Sequence, residues 1–152
     1  MVKNILLIIL ITFLIFFVYQ VFFNRPSLST VKINIKGKTY DLEVAKTVPQ
    51  MTKGLMDRPT LCADCGMVFV SAFDLPQVFW MKNTLIPLDM IFLDHAGTVV
   101  NILTAVPQPG TPDSQLTLYR SDQPAKYVIE LNAGDSAKLS LNPGDIIALP
   151  SL

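Results

Sequence analysis

The chain has 152 residues, of which 51% are hydrophobic, and its formal net charge at pH 7 is zero. This length accommodates one domain with a short appendage. Twelve basic residues balance twelve acidic ones, so there is no overall positive field of the kind that favours phosphate-backbone binding. Leaving out Lys3 and Arg25 gives ten basic against twelve acidic residues. The sequence therefore predicts no nucleic-acid partner.

An apolar run near the N-terminus predicts a membrane anchor. Ile5–Phe23 is interrupted only by Thr12, Tyr19 and Gln20, and as a helix it would be about 30 Å long, roughly the thickness of the hydrocarbon core. The alternative is a cleaved signal peptide. The run is longer than the usual apolar region of about 7–15 residues, and no small-residue cleavage site follows it. We therefore expect a retained single-pass helix, which makes the membrane a partner of the chain.

The flanking charges predict the orientation of this helix. The terminal amine and Lys3 lie before it and Arg25 lies after it, which favours a cytoplasmic N-terminus at residues 1–4. Residues 24–30 then form a linker with no apolar periodicity. The expected location is the cell membrane, with residues 31–152 as a domain outside the cytoplasm.

The first part of this domain shows a hairpin followed by a helix. Val31–Lys36 alternates apolar and polar residues, Gly37–Lys38 is a turn, and Tyr40–Ala45 alternates again, which predicts a hairpin near a sheet edge. Thr47 is placed to cap a short helix that ends near Met56–Arg58.

The remainder of the domain has the pattern of short strands separated by turns. A second short helix is expected within Asn132–Leu141. The predicted fold is therefore mainly β, with α+β at the margin: a small sandwich or partly open barrel of about eight strands and one or two short helices. Further strands are expected at Met67–Val70, Thr98–Thr104, Leu116–Tyr119, Lys126–Leu131 and Asp145–Leu149.

The central stretch, Phe79–Asp94, combines strong apolar character with isolated polar residues. We expect strands at Val78–Met81 and Leu88–Leu93, joined as a hairpin by the bend Lys82–Pro87. Polar groups among apolar neighbours must either find partners or face a functional site. The side chains concerned are Trp80, Lys82, Asn83 and Asp89.

Several motifs in order along the chain resemble the domain-of-unknown-function 192 family, also called uncharacterised protein family 0127. The motifs are GLMDR at Gly54–Arg58, GMVFV at Gly66–Val70, WMKNTLIPLDMIFLD from Trp80 to Asp94, and YVIELNAGD at Tyr127–Asp135. The resemblance covers roughly residues 33–149. It implies a mainly β fold and no established activity.

The polar residues of the central stretch have a structural and a functional interpretation. In the first, Lys82 pairs with Asp89 across the bend and Asn83 makes a local turn bond. In the second, Trp80 supplies an aromatic wall of a cleft, and the polar groups hold a small polar ligand. Both interpretations stay open.

Two further residues are candidates for the same site. Arg58 lies just past a predicted helix end, where it could cap the helix or hold a carboxylate of Asp57, Asp89, Glu130 or a ligand. Glu130 belongs to a group of carboxylates near strand ends, any two of which could converge.

Cys62 and Cys65 are separated by two residues in a loop. The strand-before, helix-after context of a thioredoxin-type redox pair is missing, and a structural zinc site would need more ligands than two thiols and one histidine. A small loop disulfide is expected if the domain is extracytoplasmic. We expect no metal and no cofactor. The resemblance implies that this pair is not a general feature of the family.

Three functions remain compatible with the sequence. The first is a binding module for a small ligand or an envelope component. The second is a small hydrolase or transferase that uses Asp89 with Lys82 or Glu130 as acid and base. The third is a structural or partner-docking domain. Whether the protein is an enzyme is open at this stage.

Overall fold

The structure is a computed structural model that describes residues 10–14, 16 and 28–152. Residues 10–14 and 16 are helical. Within the described part of the chain, no helix is both long and apolar enough to cross a membrane. The cytoplasmic segment expected at residues 1–4, most of the anchor expected at residues 5–23 and most of the linker expected at residues 24–30 lie outside the described residues, so all three stay predictions.

Eight strands and three short helices make up the described domain. The helices are α1 (Val48–Lys53), α2 (Asp135–Lys138) and a 3-10 turn at Asp113–Gln115. The strands are β1 (Thr30–Ile35), β2 (Lys38–Ala45), β3 (Cys65–Leu75), β4 (Val78–Phe79), β5 (Leu88–Leu93), β6 (Val99–Ala105), β7 (Tyr119–Arg120) and β8 (Ala125–Asn132).

Six of these strands form one sheet in the order β1-β2-β3-β8-β5-β6. Neighbours are antiparallel except β2 and β3, which are parallel. A parallel pair needs a crossover connection, and α1 lies in the segment that supplies it. The remaining strands, β4 and β7, pair with each other as a separate two-stranded sheet.

Apolar clusters cover both faces of the six-stranded sheet, and β5 shows this most clearly. All six of its residues are buried, and consecutive side chains of a strand point to opposite faces. One cluster includes Ile91 and Leu93; the other includes Met90 and Phe92. A polar side chain on this strand or its neighbours is therefore buried whichever face it points to.

The mainly β class, with eight strands and few short helices, is confirmed. The strands do not close into a barrel, because β1 and β6 are both edges of the described sheet. The predicted first hairpin is confirmed at that edge. Thr47 caps α1 as expected. Its hydroxyl accepts a hydrogen bond from the backbone N–H of Gln50, and the side-chain oxygen of Gln50 accepts one from the backbone N–H of Thr47.

The predicted central hairpin is wrong. Val78–Phe79 pairs with Tyr119–Arg120, whereas Leu88–Leu93 pairs with β8 and β6. The intervening residues form a loop, in which Asn83 has a left-handed backbone with a φ of 51°. The expected last strand at Asp145–Leu149 is reduced to one bridge between Ile146 and Thr98.

Candidate functional site

A cavity of about 250 Å³ opens on the sheet face that carries Met90 and Phe92. The end of α1 and the turn after it form one wall, and β4 with Trp80 forms another. Its lining residues are Met51, Thr52, Lys53, Gly54, Leu55, Met56, Phe69, Gln77, Val78, Phe79, Trp80, Thr84 and Glu130.

The backbone turn after α1 is fixed on both sides. Gly54 donates its N–H to the Gln50 carbonyl at 2.9 Å and has a φ of 44°, a conformation that glycine adopts without the usual steric cost. A Cβ at Gly54 would lie 3.3 Å from the Phe69 ring. The Asp57 N–H donates to the Asn83 carbonyl at 2.8 Å. This bond ties the turn to the loop before β5, so the cavity has a defined shape.

Glu130 is the acidic residue in the lining of this cavity. It lies towards the C-terminal end of β8, paired with Met67 on β3 and Met90 on β5, and both methionines are fully buried. Glu130 itself is 4% exposed. No residue that the structure describes makes a hydrogen bond or ion pair with its carboxylate. Burial raises the pKa of Glu130 to about 8, because the charged form loses most of its water and gains no partner among the described residues. No fully enclosed side-chain oxygen or nitrogen of the described residues lacks a hydrogen-bond partner, so the carboxylate oxygens of Glu130 remain open to the cavity.

Aromatic side chains line the cavity beside Glu130. The Phe79 ring packs edge-on against Phe69, with ring centroids 5.0 Å apart, and against Phe92 at 6.0 Å. Trp80 follows in the chain and is 42% exposed, so it borders the cavity on its solvent side. A buried carboxyl group enclosed by apolar and aromatic walls is an arrangement that holds and orients small ligands.

Lys53 is the other charged residue that lines this cavity among those described. Its ammonium pairs with Asp57, four residues along the chain, rather than with Glu130.

The structure brings only two of the six predicted site residues together. Trp80 and Glu130 share this cavity. Lys82 and Asn83 line a neighbouring cavity of about 360 Å³, where Lys82 pairs with Asp113 and lies 5.8 Å from the Trp80 ring centroid. The Lys82–Asp89 pair of the structural interpretation is therefore not formed, since Lys82 pairs with Asp113 instead.

Asp89 lies on the opposite face of the sheet from Glu130. It pairs in register with Leu131, the residue after Glu130, and is fully buried. One of its oxygens accepts the Thr104 hydroxyl at 2.8 Å; the other accepts the backbone N–H groups of Gly134 at 3.0 Å and Ser136 at 2.9 Å, and the Ser136 hydroxyl. This carboxylate holds β6 and the start of α2 in place and does not meet Glu130 as an acid–base partner.

Arg58 is engaged by another carboxylate. Its guanidinium makes a two-pronged ion pair with Glu43, at 2.6 and 2.7 Å, and these bonds raise the pKa of Arg58. The pair borders a third cavity, of about 640 Å³, beside β1 and α1. Arg58 therefore joins α1's following turn to β2 rather than contributing to the cavity of Glu130.

Cys62 and Cys65 lie at disulfide distance, with Cα atoms 5.1 Å apart, which confirms the predicted pair. The Asn132 side chain donates to the Cys62 carbonyl at 2.9 Å, so this loop is attached to the end of β8. No group of three or more metal-ligating side chains occurs among residues 10–14, 16 and 28–152.

Sequence reasoning missed most of the residues that surround Glu130. Gly54 belongs to the GLMDR motif, in which Arg58 is the residue whose chemistry suggests a function. Phe69 and Gln77 carry no local signal for a site. The signal for Glu130 itself is a glutamate flanked by Ile129 and Leu131 in an otherwise apolar strand.

Comparison with known proteins gives a family and two structural relatives. Residues 30–149 match the model of the DUF192 family, described as "Uncharacterized ACR". A protein of unknown function from Novosphingobium aromaticivorans DSM 12444 is 34% identical with a TM-score of 0.71, over 80% of this chain and 86% of that one. A protein from Sinorhizobium meliloti 1021, described as "a putative transcription regulator", is 36% identical with a TM-score of 0.69, over 82% of this chain and 96% of that one. No curated protein matches the chain significantly.

Proposed function

Because the chain belongs to the DUF192 family, which carries no assigned activity, we propose its function from the cavity itself: the domain is a binding module for a small ligand held at Glu130. The observation that carries this proposal is the Glu130 carboxyl group, 4% exposed in the cavity wall and without a hydrogen-bond partner among the described residues. The oxygens of this group reach the cavity, where a bound ligand would supply the partner that polar groups in buried positions almost always have.

The dimensions of the cavity fit a small ligand or the end of a single side chain. Its volume of about 250 Å³ lies just below the range of roughly 300–1,000 Å³ for sites that take drug-sized molecules. The mixture of aromatic walls and one acid favours a ligand with an apolar body and one polar end.

The chain provides its own probe for this proposal, since Trp80 is its only tryptophan and lines the cavity. We would titrate the full-length chain with three four-carbon probes, n-butylammonium, n-butanol and butyrate, and follow Trp80 fluorescence. We expect at least one probe to cause a saturable change.

Two matched variants locate the binding. Thr52→Phe adds bulk at an exposed position in the wall of the Glu130 cavity, whereas Leu85→Phe adds bulk at an exposed position of the neighbouring cavity. Binding should be lost in Thr52→Phe and kept in Leu85→Phe. Saturation by none of the probes, or equal loss in both variants, would contradict the proposal.

The location of this module is a second part of the proposal. We propose that residues 5–23 anchor it in the membrane and that the domain lies outside the cytoplasm, where it would meet an envelope component or a free ligand. The apolar run in the sequence supports the anchor, and a cysteine pair at disulfide distance is in keeping with an oxidising compartment.

A further inference from the structure

We propose that the ligand of the Glu130 cavity carries a protonated primary amine, which pairs with the Glu130 carboxylate while its alkyl chain contacts the aromatic wall. This inference rests on the proposed function, because it names the chemical class of ligand for the same cavity. The same ammonium group occurs in free small amines and in the lysine side chain of a protein.

The charges of the cavity disfavour an anionic ligand once Glu130 is ionised. The ionised carboxylate would repel a negative group, and the faces of aromatic rings such as Trp80 and Phe79 carry negative electrostatic potential. These features attract a cation instead. The lining contains no arginine, and its one lysine, Lys53, is already paired with Asp57.

A cation also suits Glu130 better than a neutral donor does. Charge-assisted hydrogen bonds are roughly twice as strong as neutral ones, and the walls around this carboxyl group exclude most of the water that would weaken them. A neutral hydroxyl would satisfy one oxygen of Glu130 but would make no charge-assisted bond.

None of the described side chains around Glu130 pairs with its carboxylate, so a cation would have to come from the ligand. Met67 faces it from β3 and Met90 from β5, and neither titrates. Lys53 reaches the cavity from α1 but pairs with Asp57. Lys82, on the far side of Trp80, pairs with Asp113. The carboxyl group thus has no competing cation from the surrounding elements that the structure describes.

Amine binding should release a proton. Burial raises the pKa of Glu130 to about 8, so the group is mostly protonated at pH 6–7 and must ionise to pair with an ammonium ion. The proton passes from the carboxyl group to the buffer, and no covalent bond forms. The association constant for n-butylammonium should therefore rise by about tenfold from pH 6 to pH 7 and less steeply as pH approaches 8, whereas that for n-butanol should stay constant.

The test is a comparison of the three four-carbon probes on the full-length chain. We expect n-butylammonium to bind at least about tenfold more tightly than n-butanol at pH 8, and butyrate to bind most weakly. Calorimetry in two buffers of different ionisation enthalpy should show one proton released per n-butylammonium bound at pH 6.5. Glu130→Gln should lose about tenfold or more in affinity for n-butylammonium and keep its affinity for n-butanol.

The possible results separate this inference from the proposed function. Equal binding of n-butanol and n-butylammonium, or no proton release, would overturn the amine while leaving the cavity as a binding site. Failure of all three probes would overturn both. The proton measurement uses the unmodified chain, so the test holds even if Glu130→Gln folds poorly.

A further probe distinguishes the two sources of the amine. Nα-acetyl-lysine methylamide presents the same four-carbon ammonium chain attached to a backbone. Binding tighter than that of n-butylammonium would support a lysine of a partner protein as the occupant, and exclusion of the lysine derivative would support a free small amine. Binding of neither would overturn the inference.

Discussion

At the scale of single residues, two buried carboxylates with opposite surroundings decide how this domain is interpreted. Asp89 and Glu130 lie on neighbouring strands and point to opposite faces of the sheet. Asp89 accepts four hydrogen bonds, and Glu130 accepts none from the described residues. Asp89 therefore belongs to the scaffold, whereas Glu130 is the group on which both proposals depend.

The isolation of Glu130 should make stability depend on pH. In the folded chain its pKa is about 8, against an ordinary value of 4.5, so the folded state keeps a proton that the unfolded state releases. The contribution of Glu130 to the free energy of unfolding is therefore largest below about pH 4.5 and falls as pH rises towards 8, by about 1.4 kcal/mol per pH unit.

Glu130→Gln removes this loss of stability at rising pH. We expect the difference in free energy of unfolding, variant minus unmodified chain, to rise by about 3 kcal/mol from pH 5 to pH 7.5. Urea unfolding of both proteins at both pH values measures it. Asp113→Asn is the control: this carboxylate is 60% exposed in its ion pair with Lys82, so its loss should cost less than about 1 kcal/mol at both pH values. A difference between Glu130→Gln and the unmodified chain that does not change with pH would show that Glu130 is partnered in solution.

At the scale of elements, Asp89 connects parts of the fold that are distant in sequence. It lies on β5, bonds to Thr104 on β6, and holds the backbone at Gly134 and Ser136 where α2 begins. Removing this acceptor leaves the buried N–H and hydroxyl of Ser136 and the partly buried N–H of Gly134 with fewer partners, and each unsatisfied buried donor costs about 1–3 kcal/mol.

We expect Asp89→Ala to lower the free energy of unfolding by at least about 3 kcal/mol at pH 7, in contrast to the gain predicted for Glu130→Gln. Ser136→Ala, which removes one donor and leaves Asp89 in place, should cost less. Denaturant unfolding of the three variants provides the comparison. If Asp89→Ala were as stable as the unmodified chain, Asp89 would not be the structural carboxylate that its bonds indicate.

The elements also show what sequence reasoning can recover. The β1–β2 hairpin and the capped helix α1 were predictable because their signals are local: alternation, a turn glycine, and Thr47 three residues before Gln50. The pairing of β4 with β7 was not predictable, because it joins residues about 40 positions apart and β4 has only two residues. The predicted β4–β5 hairpin failed for this reason, since nearness in sequence favoured the wrong partner.

At the scale of the whole molecule, the contrast between local signals and long-range pairing also explains why the cavity could not be predicted from the sequence. The cavity is assembled from α1, the turn after it, β3, β4 and β8, and only the six-stranded order brings β8 beside β3 and β5. Sequence alone identified Trp80 and Glu130 as candidates, but it grouped them with Asp89, Lys82, Asn83 and Arg58. The alternation of side chains between two covered faces separates Asp89 from Glu130, and that separation requires knowing the register of β5 against β8.

The arrangement of the whole chain in the cell gives the last prediction. If residues 5–23 form an anchor and the domain lies outside the cytoplasm, protease added to intact spheroplasts should degrade residues 28–152. Cys62 and Cys65 should resist alkylation until a reductant is added, since extracytoplasmic compartments maintain disulfides. The chain's flanking charges give a matched test: Asn24→Lys combined with Ser27→Lys adds positive charge after the apolar run and should shift part of the population to the opposite orientation. Protection of the domain from protease in the unmodified chain, with both cysteines reactive, would place the domain and its cavity inside the cell.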